Sequence, residues 1–209
     1  MNRSDRILVM GTHNQGKRRE LEILLRPLGF ELKTLNDFPN SIDVDETGTT
    51  FRENAILKAT TQAKHLRQWV LGEDSGLSVD ALQGAPGVYS ARFAGQHGDD
   101  TANNNLLLSK LASVAADQRG AAYTCHIALS DPSGNIHVDC FGTCRGRITE
   151  GPRGTGGFGY DPLFELVEYR LTFGELGSAV KSVLSHRACA LREFARQLRT
   201  HNIPDLGVA

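Results

Sequence analysis

Two acidic stretches and two lysines carry the chemistry that this sequence can do. Glu46 precedes Thr47-Gly48, and Glu73-Asp74 precedes Ser75-Gly76, with no histidine or cysteine companion nearby. Three carboxylates in that company suit a hard cation, magnesium before calcium or zinc, bound by one or two acids plus water and substrate oxygens. An acidic turn that is merely solvated is the plain alternative. Lys17 closes Gly11-x4-Gly16-Lys17, the opening of a P-loop, but Arg18 stands where a Ser or Thr would hold magnesium. The classical P-loop is thereby set aside. What is left is either a loop that meets phosphate in another way, through Thr12, Asn14 and the charge of Lys17, or a capped strand-to-helix turn. Lys58 follows Glu53-Asn54 by one or two helical turns and needs a partner before it is more than a solvated cation.

A second stretch has an unusual make-up: Gly156-Gly157-Phe158-Gly159-Tyr160-Asp161-Pro162. Glycines permit positive φ and close backbone approach, the two aromatics offer flat apolar faces, and Pro162 stiffens the exit. Such a loop could hold a planar heterocycle; equally, its aromatics could finish the core.

The elements that must position these residues are readable in outline. Arg6 to Gly11 is a short apolar run, as in a strand covered on both faces, and Arg18 to Leu28 has leucines at helical spacing. Phe30 to Leu35 reads as a second strand. A long helix opens after Glu46-Thr47-Gly48-Thr49, capped by Thr47 or Thr49, and the stripe Ile56, Ala59, Ala63, Leu66 and Val70 carries it to about Leu71. Glu73-Asp74-Ser75-Gly76 then forms a compact acidic corner, and Val79 to Leu82 is a further short strand. Thr101 to Leu111 is an amphipathic helix. Ala121 to Ser130 and Ile136 to Thr143 alternate around Asp131-Pro132-Ser133-Gly134-Asn135, a hairpin pattern. A last helix follows Ser185-His186-Arg187, and residues 201–209 are expected to fray.

Composition narrows the function classes. The 209 residues suit one large domain or two packed lobes, and the net charge of −1 gives no global attraction to nucleic acid or membrane. No apolar run approaches a membrane span and the N-terminus lacks a signal-peptide core, so a cytoplasmic location is expected. Cys125, Cys140, Cys144 and Cys189 form no CxxC pair, and buried reduced thiols are expected rather than a disulfide or a zinc site.

Taken together, Thr12-x-Asn14-x-x-Lys17, Glu46-Thr47-Gly48-x-Thr50-Phe51-x-Glu53-Asn54-Ala55 with Lys58, Asp74-Ser75-Gly76-Leu77, Pro86-Gly87-x-Tyr89-Ser90-Ala91-Arg92, the glycine-rich loop, and Lys181 with Ser185-His186-Arg187 resemble the inosine triphosphate pyrophosphatase family. The match spans residues 7 to about 195. His13 stands where many members carry glycine, and Glu73 where bacterial members often carry aspartate. The resemblance implies an elongated α/β fold: a long mixed sheet flanked by helices, with two lobes around a central cleft in one domain, in a homodimer. It also implies magnesium-dependent hydrolysis of ITP, dITP and XTP to the monophosphate plus pyrophosphate. On that reading Lys17, Lys58 and the loop Thr12, His13, Asn14, Gln15 and Gly16 hold the triphosphate. Glu46 and Asp74 hold Mg²⁺, Asp74 doubles as general base, and Glu73 is a weaker, indirect ligand. Ser75, Phe158, Gly159, Tyr160, Asp161, Lys181, His186 and Arg187 bind the substrate, with Arg187 and His186 aimed at the 6-oxo group, Phe158 stacked on the ring, and Asp161 and Lys181 fixing its edge or the sugar. A pyrophosphatase for other modified nucleotides and a non-catalytic nucleotide sensor are the rival readings. The intact acids and lysines speak against the sensor.

Overall fold

The computed structural model describes residues 7–200; Arg6 and the tail 201–209, expected to fray, lie outside the described residues. Seven strands, β1 (Ile7–Gly11), β2 (Glu31–Thr34), β3 (Trp69–Val79), β4 (Gly120–Ser130), β5 (Ile136–Ile148), β6 (Phe164–Leu166) and β7 (Leu171–Thr172), form one sheet in the order β2-β1-β3-β4-β5-β6-β7. β1 runs parallel to β2 and β3, whereas β6 runs antiparallel to β5 and β7, so the sheet is mixed. The helices are α1 (Gln15–Leu25), α2 (Phe51–Leu66), α3 (Asp100–Lys110), α4 (Phe173–Leu184) and α5 (His186–Thr200). Among the described residues no helix is long and apolar enough to cross a membrane.

The chain divides into two compact units. The first takes in the chain up to Asp74, Cys125–Gly142, and the chain from Arg187; the second takes in Ser75–Thr124 and Thr143–His186. In the first unit, alternation along each strand decides which helix a residue meets. Leu8, Met10, Leu71, Cys125 and Ile127 share a core with Leu21 and Leu25 of α1 and Leu191 and Phe194 of α5. Their neighbours Val9 and Val70 pack instead with Ala63 and Leu66 of α2. The second unit closes its own core with Leu77, Leu107, Tyr123, Phe164 and Phe173.

Four local expectations differ from the structure. Thr50, not Thr47 or Thr49, caps α2: its side chain accepts from Glu53 N at 3.2 Å while Glu53 reaches back to Thr50 N at 3.0 Å. The helix stops at Leu66, where Arg67 turns left-handed (φ 53°), rather than running to Leu71. Val70 extends the helical stripe in sequence, yet Trp69, Val70 and Leu71 pair with Leu8, Val9 and Met10 of β1. Glu73 and Asp74 therefore lie inside a buried strand and not in an acidic corner. The expected strand from Val79 is the end of β3, followed by a 3₁₀ turn over Asp80–Leu82.

Gly72 sets how closely α2 approaches β3. A Cβ there would come within 2.2 Å of the Ala55 carbonyl oxygen and 2.6 Å of Ala59 N, both of α2. Gly72→Ala is expected to destabilise the fold by about 2–3 kcal/mol, the upper part of the range for overpacking. Urea unfolding checks this, and a variant as stable as the parent contradicts the close approach. All four cysteines are free thiols; Cys125, Cys140 and Cys144 are buried and Cys189 half-buried.

Candidate active site

Asp74 is the centre of the first unit's polar cluster. Lys58 Nζ of α2 lies 2.9 Å from its Oδ1 and 3.4 Å from Oε1 of Glu46, and Asn54 Nδ2 donates to its Oδ2 at 3.3 Å. The alternation that sends Gly72 toward α2 sends Asp74 the same way, and Lys58 lies one helical turn beyond Asn54 on α2. Asn54, fully buried, also accepts from Gly48 N at 2.8 Å, which ties the segment carrying Glu46 to the helix. Burial raises the Asp74 carboxyl above its ordinary range, with Glu46 adding to the rise and Lys58 and Lys17 opposing it. A carboxylate whose proton affinity is raised, steadied by an ammonium, is equipped to take a proton from water.

Glu73 faces the other way. Its side chain is 0% exposed and lies 3.0 Å from Lys17 Nζ and 2.9 Å from Arg187 Nη2, and Cys125 Sγ donates to it at 3.3 Å. Arg187 in turn pairs with Glu20 of α1. Burial alone would lower the Lys17 pKa, but Glu73 and Asp74 outweigh it and raise the value. Arg187, expected to be aimed at a base, has its guanidinium 1% exposed between two carboxylates. Glu73 is thus an anchor for cations and does not join Glu46 and Asp74.

The loop between β1 and α1 is a capped turn that also presents a cation. Asn14 Oδ1 caps α1 by accepting from Lys17 N at 2.9 Å, and Asn14 N donates to Thr12 Oγ1 at 3.2 Å. His13, 3.5 Å from Asp43, is exposed, as are Asn14 and Gln15; Gly16 is half-buried. The two readings of this loop are compatible: the cap aligns the first turn of α1, and that turn carries Lys17.

In the second unit the glycine-rich loop divides its aromatics between the two tasks weighed for it. Tyr160 is buried in the core and donates its hydroxyl to the Ser90 carbonyl at 2.8 Å, whereas Phe158 is half-buried. Lys181 pairs with Asp161 and sets its Nζ 4.5 Å from the Phe158 ring centroid. Asp161 also accepts from Phe158 N at 2.9 Å. A Cβ on Gly157 (φ 77°) would fall 1.9 Å from the Asp161 carboxylate, so only glycine fits there. His186 is buried and stacked on Tyr123 with centroids 4.6 Å apart, and Ser75 is half-buried.

The Ham1 family profile matches residues 8–197. A dITP/XTP pyrophosphatase of Rhodopirellula baltica is 58% identical over 191 residues, which cover 91% of this chain and 92% of that relative. The chain belongs to the Ham1 family. A dITP/XTP pyrophosphatase of Desulforamulus reducens is 50% identical over 186 residues, or 89% of this chain and 92% of its own. Among solved structures, a HAM1 protein from Coxiella burnetii matches with a TM-score of 0.84 at 36% identity, over 93% of this chain and 99% of that one.

For this Ham1 chain, the residues that sequence reasoning left outside the site are those that act through others. Asn54 stands inside the Glu46-to-Ala55 motif, and its short, two-ended amide is the signal that could have identified it. Gly72 and Glu20 give no local signal, because their importance lies in contacts with α2 and α5.

Proposed function

We propose that this Ham1 protein hydrolyses dITP, ITP and XTP to the monophosphate and pyrophosphate. The observation that carries the reading is the convergence of Asp74 and Glu46 on the Lys58 ammonium, with Asn54 bonded to both Asp74 and the segment bearing Glu46. The donor chemistry suits magnesium: two hard carboxylates, Glu46 and Asp74, both lie against Lys58 Nζ. Among the described residues no group of three or more His, Cys, Asp or Glu side chains converges to form a closed cage. An open site of that kind leaves positions for water and phosphate oxygens. Magnesium held by Glu46 and Asp74 would neutralise phosphate charge.

The residues of the chain do the rest. Water attacks the α-phosphorus, the new P–O bond forms as the bond to the bridging oxygen breaks, and pyrophosphate leaves. Asp74 takes the proton of that water, and Lys58 keeps its carboxylate oriented. Lys17 offers its charge to the phosphates from the first turn of α1, where the helix dipole adds to it. Phe158, with Asp161 and Lys181, is assigned to the base, and Arg187 to holding Glu73 in place of the base contact first expected of it. A homodimer, implied by the resemblance, is part of the proposal, and sedimentation of the purified protein tests it.

The deciding experiment is a panel of ITP, dITP, XTP, ATP, GTP, dUTP and dCTP with magnesium, scored for pyrophosphate against orthophosphate. Pyrophosphate from the 6-oxo, deaminated purines well above the rest is the expected result. Equal rates on ATP, or release of orthophosphate, would sink the reading.

A further inference from the structure

α3 carries no residue of the proposed chemistry, yet it holds the glycine-rich loop by both polar groups of a single residue. Asp100 Oδ2 accepts from Gly159 N at 2.7 Å, and Asn104 Nδ2 donates to Gly159 O at 3.0 Å. Asp100 and Asn104 are four apart in sequence, so the helix projects them from one face, a turn apart. Asp99 caps this helix by accepting from Ala102 N at 2.9 Å, which fixes the turn that bears Asp100.

Gly159 is where such a grip matters most. Its φ is 61°, and a Cβ there would meet nothing within 4 Å, so glycine is required for its backbone conformation and not for room. A glycine in that state has many other conformations open to it. Phe158 immediately precedes it, and Asp161, which accepts from Phe158 N, follows two residues later. Tyr160 is secured separately, by its bond to the Ser90 carbonyl. The two bonds from α3 thus fix the one residue between the half-buried ring and the buried one.

We propose that Asp100 and Asn104 are positioning residues for base recognition: by clamping Gly159 they present Phe158 and Asp161 in one arrangement. The inference rests on the assignment of this loop to the base. Neither side chain touches substrate; each acts through the Gly159 peptide groups. The clamp also dictates which replacements preserve it. Asparagine at 100 still offers an oxygen to Gly159 N. Aspartate at 104 loses the donor and sets a carboxylate against the Gly159 carbonyl. The amide oxygen of Asn104, Oδ1, is buried and without a hydrogen-bond partner among the described residues, so added charge would be poorly solvated there.

The experiment measures kcat and KM for ITP, the Kd of inosine monophosphate, and Tm, for the parent, D100A, D100N, N104A and N104D. Expected are an increase of about tenfold in KM and in Kd for D100A and N104A, the loss of one hydrogen bond to a charged or buried partner, with kcat within about twofold. D100N should match the parent, and N104D should be worse than N104A. A structural role alone would lower Tm without this split between KM and kcat or the recovery in D100N. If Ala at either site lowers Tm by more than a few degrees, the order of D100N and N104D in Kd at 10 °C decides. Unchanged KM and Kd in D100A and N104A beside an active parent overturn the clamp and leave the proposed function standing. A parent without activity on ITP overturns the functional reading instead.

Discussion

Asp74→Asn should lower turnover by about a hundredfold or more, the scale of a lost general base. The substitution keeps shape and one acceptor oxygen, enough for Lys58 (2.9 Å from Oδ1 in the parent) with the amide N–H₂ then facing Asn54 (3.3 Å from Oδ2), while the proton-accepting capacity disappears. Stability should move little, and the sign can be worked out. The folded-state pKa of Asp74 is raised, burial being the main cause, so its ionisation is harder in the fold than in the unfolded chain. That penalty is absent below the unfolded value and grows as pH rises toward the folded pKa, which makes the ionised carboxylate a net cost at neutral pH. In metal-free buffer at pH 7, urea unfolding of the variant is therefore expected to lie close to the parent. Single-turnover kinetics and calorimetric titration with magnesium complete the test. A fall in turnover below tenfold with magnesium affinity unchanged would rule out the base.

What could be read beforehand was whatever the chain writes locally. The strand, loop and helix from Ile7 to Leu25 and the alternating strands around Asp131 to Asn135 all depend on neighbours a few residues apart. Helix α2 was overextended because Val70 satisfies a helical period and a strand pairing equally well, and only the ladder to β1 separates them. That error moved Glu73 and Asp74 from a strand to a corner and hid that they face opposite sides. Alternation then sends Asp74 to Lys58 and Asn54, and Glu73 to Lys17 and Arg187. The split between Phe158 and Tyr160 was equally out of reach, since Ser90, which receives the Tyr160 hydroxyl, is 70 positions away. Residue types announced a charged site; partners across the fold decide which acid meets which base.

Those partners make Glu73→Gln strongly destabilising, at about 3–5 kcal/mol, the cost of breaking a buried ion pair from one side. The side chain is 0% exposed and lies within 3.0 Å of both Lys17 Nζ and Arg187 Nη2. A glutamine of the same shape turns an amide N–H₂ toward one of two cations and removes the charge that justified burying them. Arg187 keeps Glu20, whereas Lys17 is left with the field of Asp74. In the parent, Glu73 and Asp74 lift the Lys17 pKa above 10.5, so its stabilising share is complete below that value and is lost as pH climbs through the raised pKa. Burial is already the largest single influence on Lys17, and without Glu73 it is no longer outweighed, so the Lys17 pKa falls. Two measurements follow: urea unfolding at pH 7, and the alkaline limb of kcat/KM, which should move to lower pH as Lys17 loses its proton before it meets phosphate. Glu73→Asp retains the charge on a shorter arm and should lose less stability than the glutamine variant. A glutamine variant within 1 kcal/mol of the parent, with its alkaline limb unmoved, would show that Lys17 and Arg187 do not depend on this carboxylate.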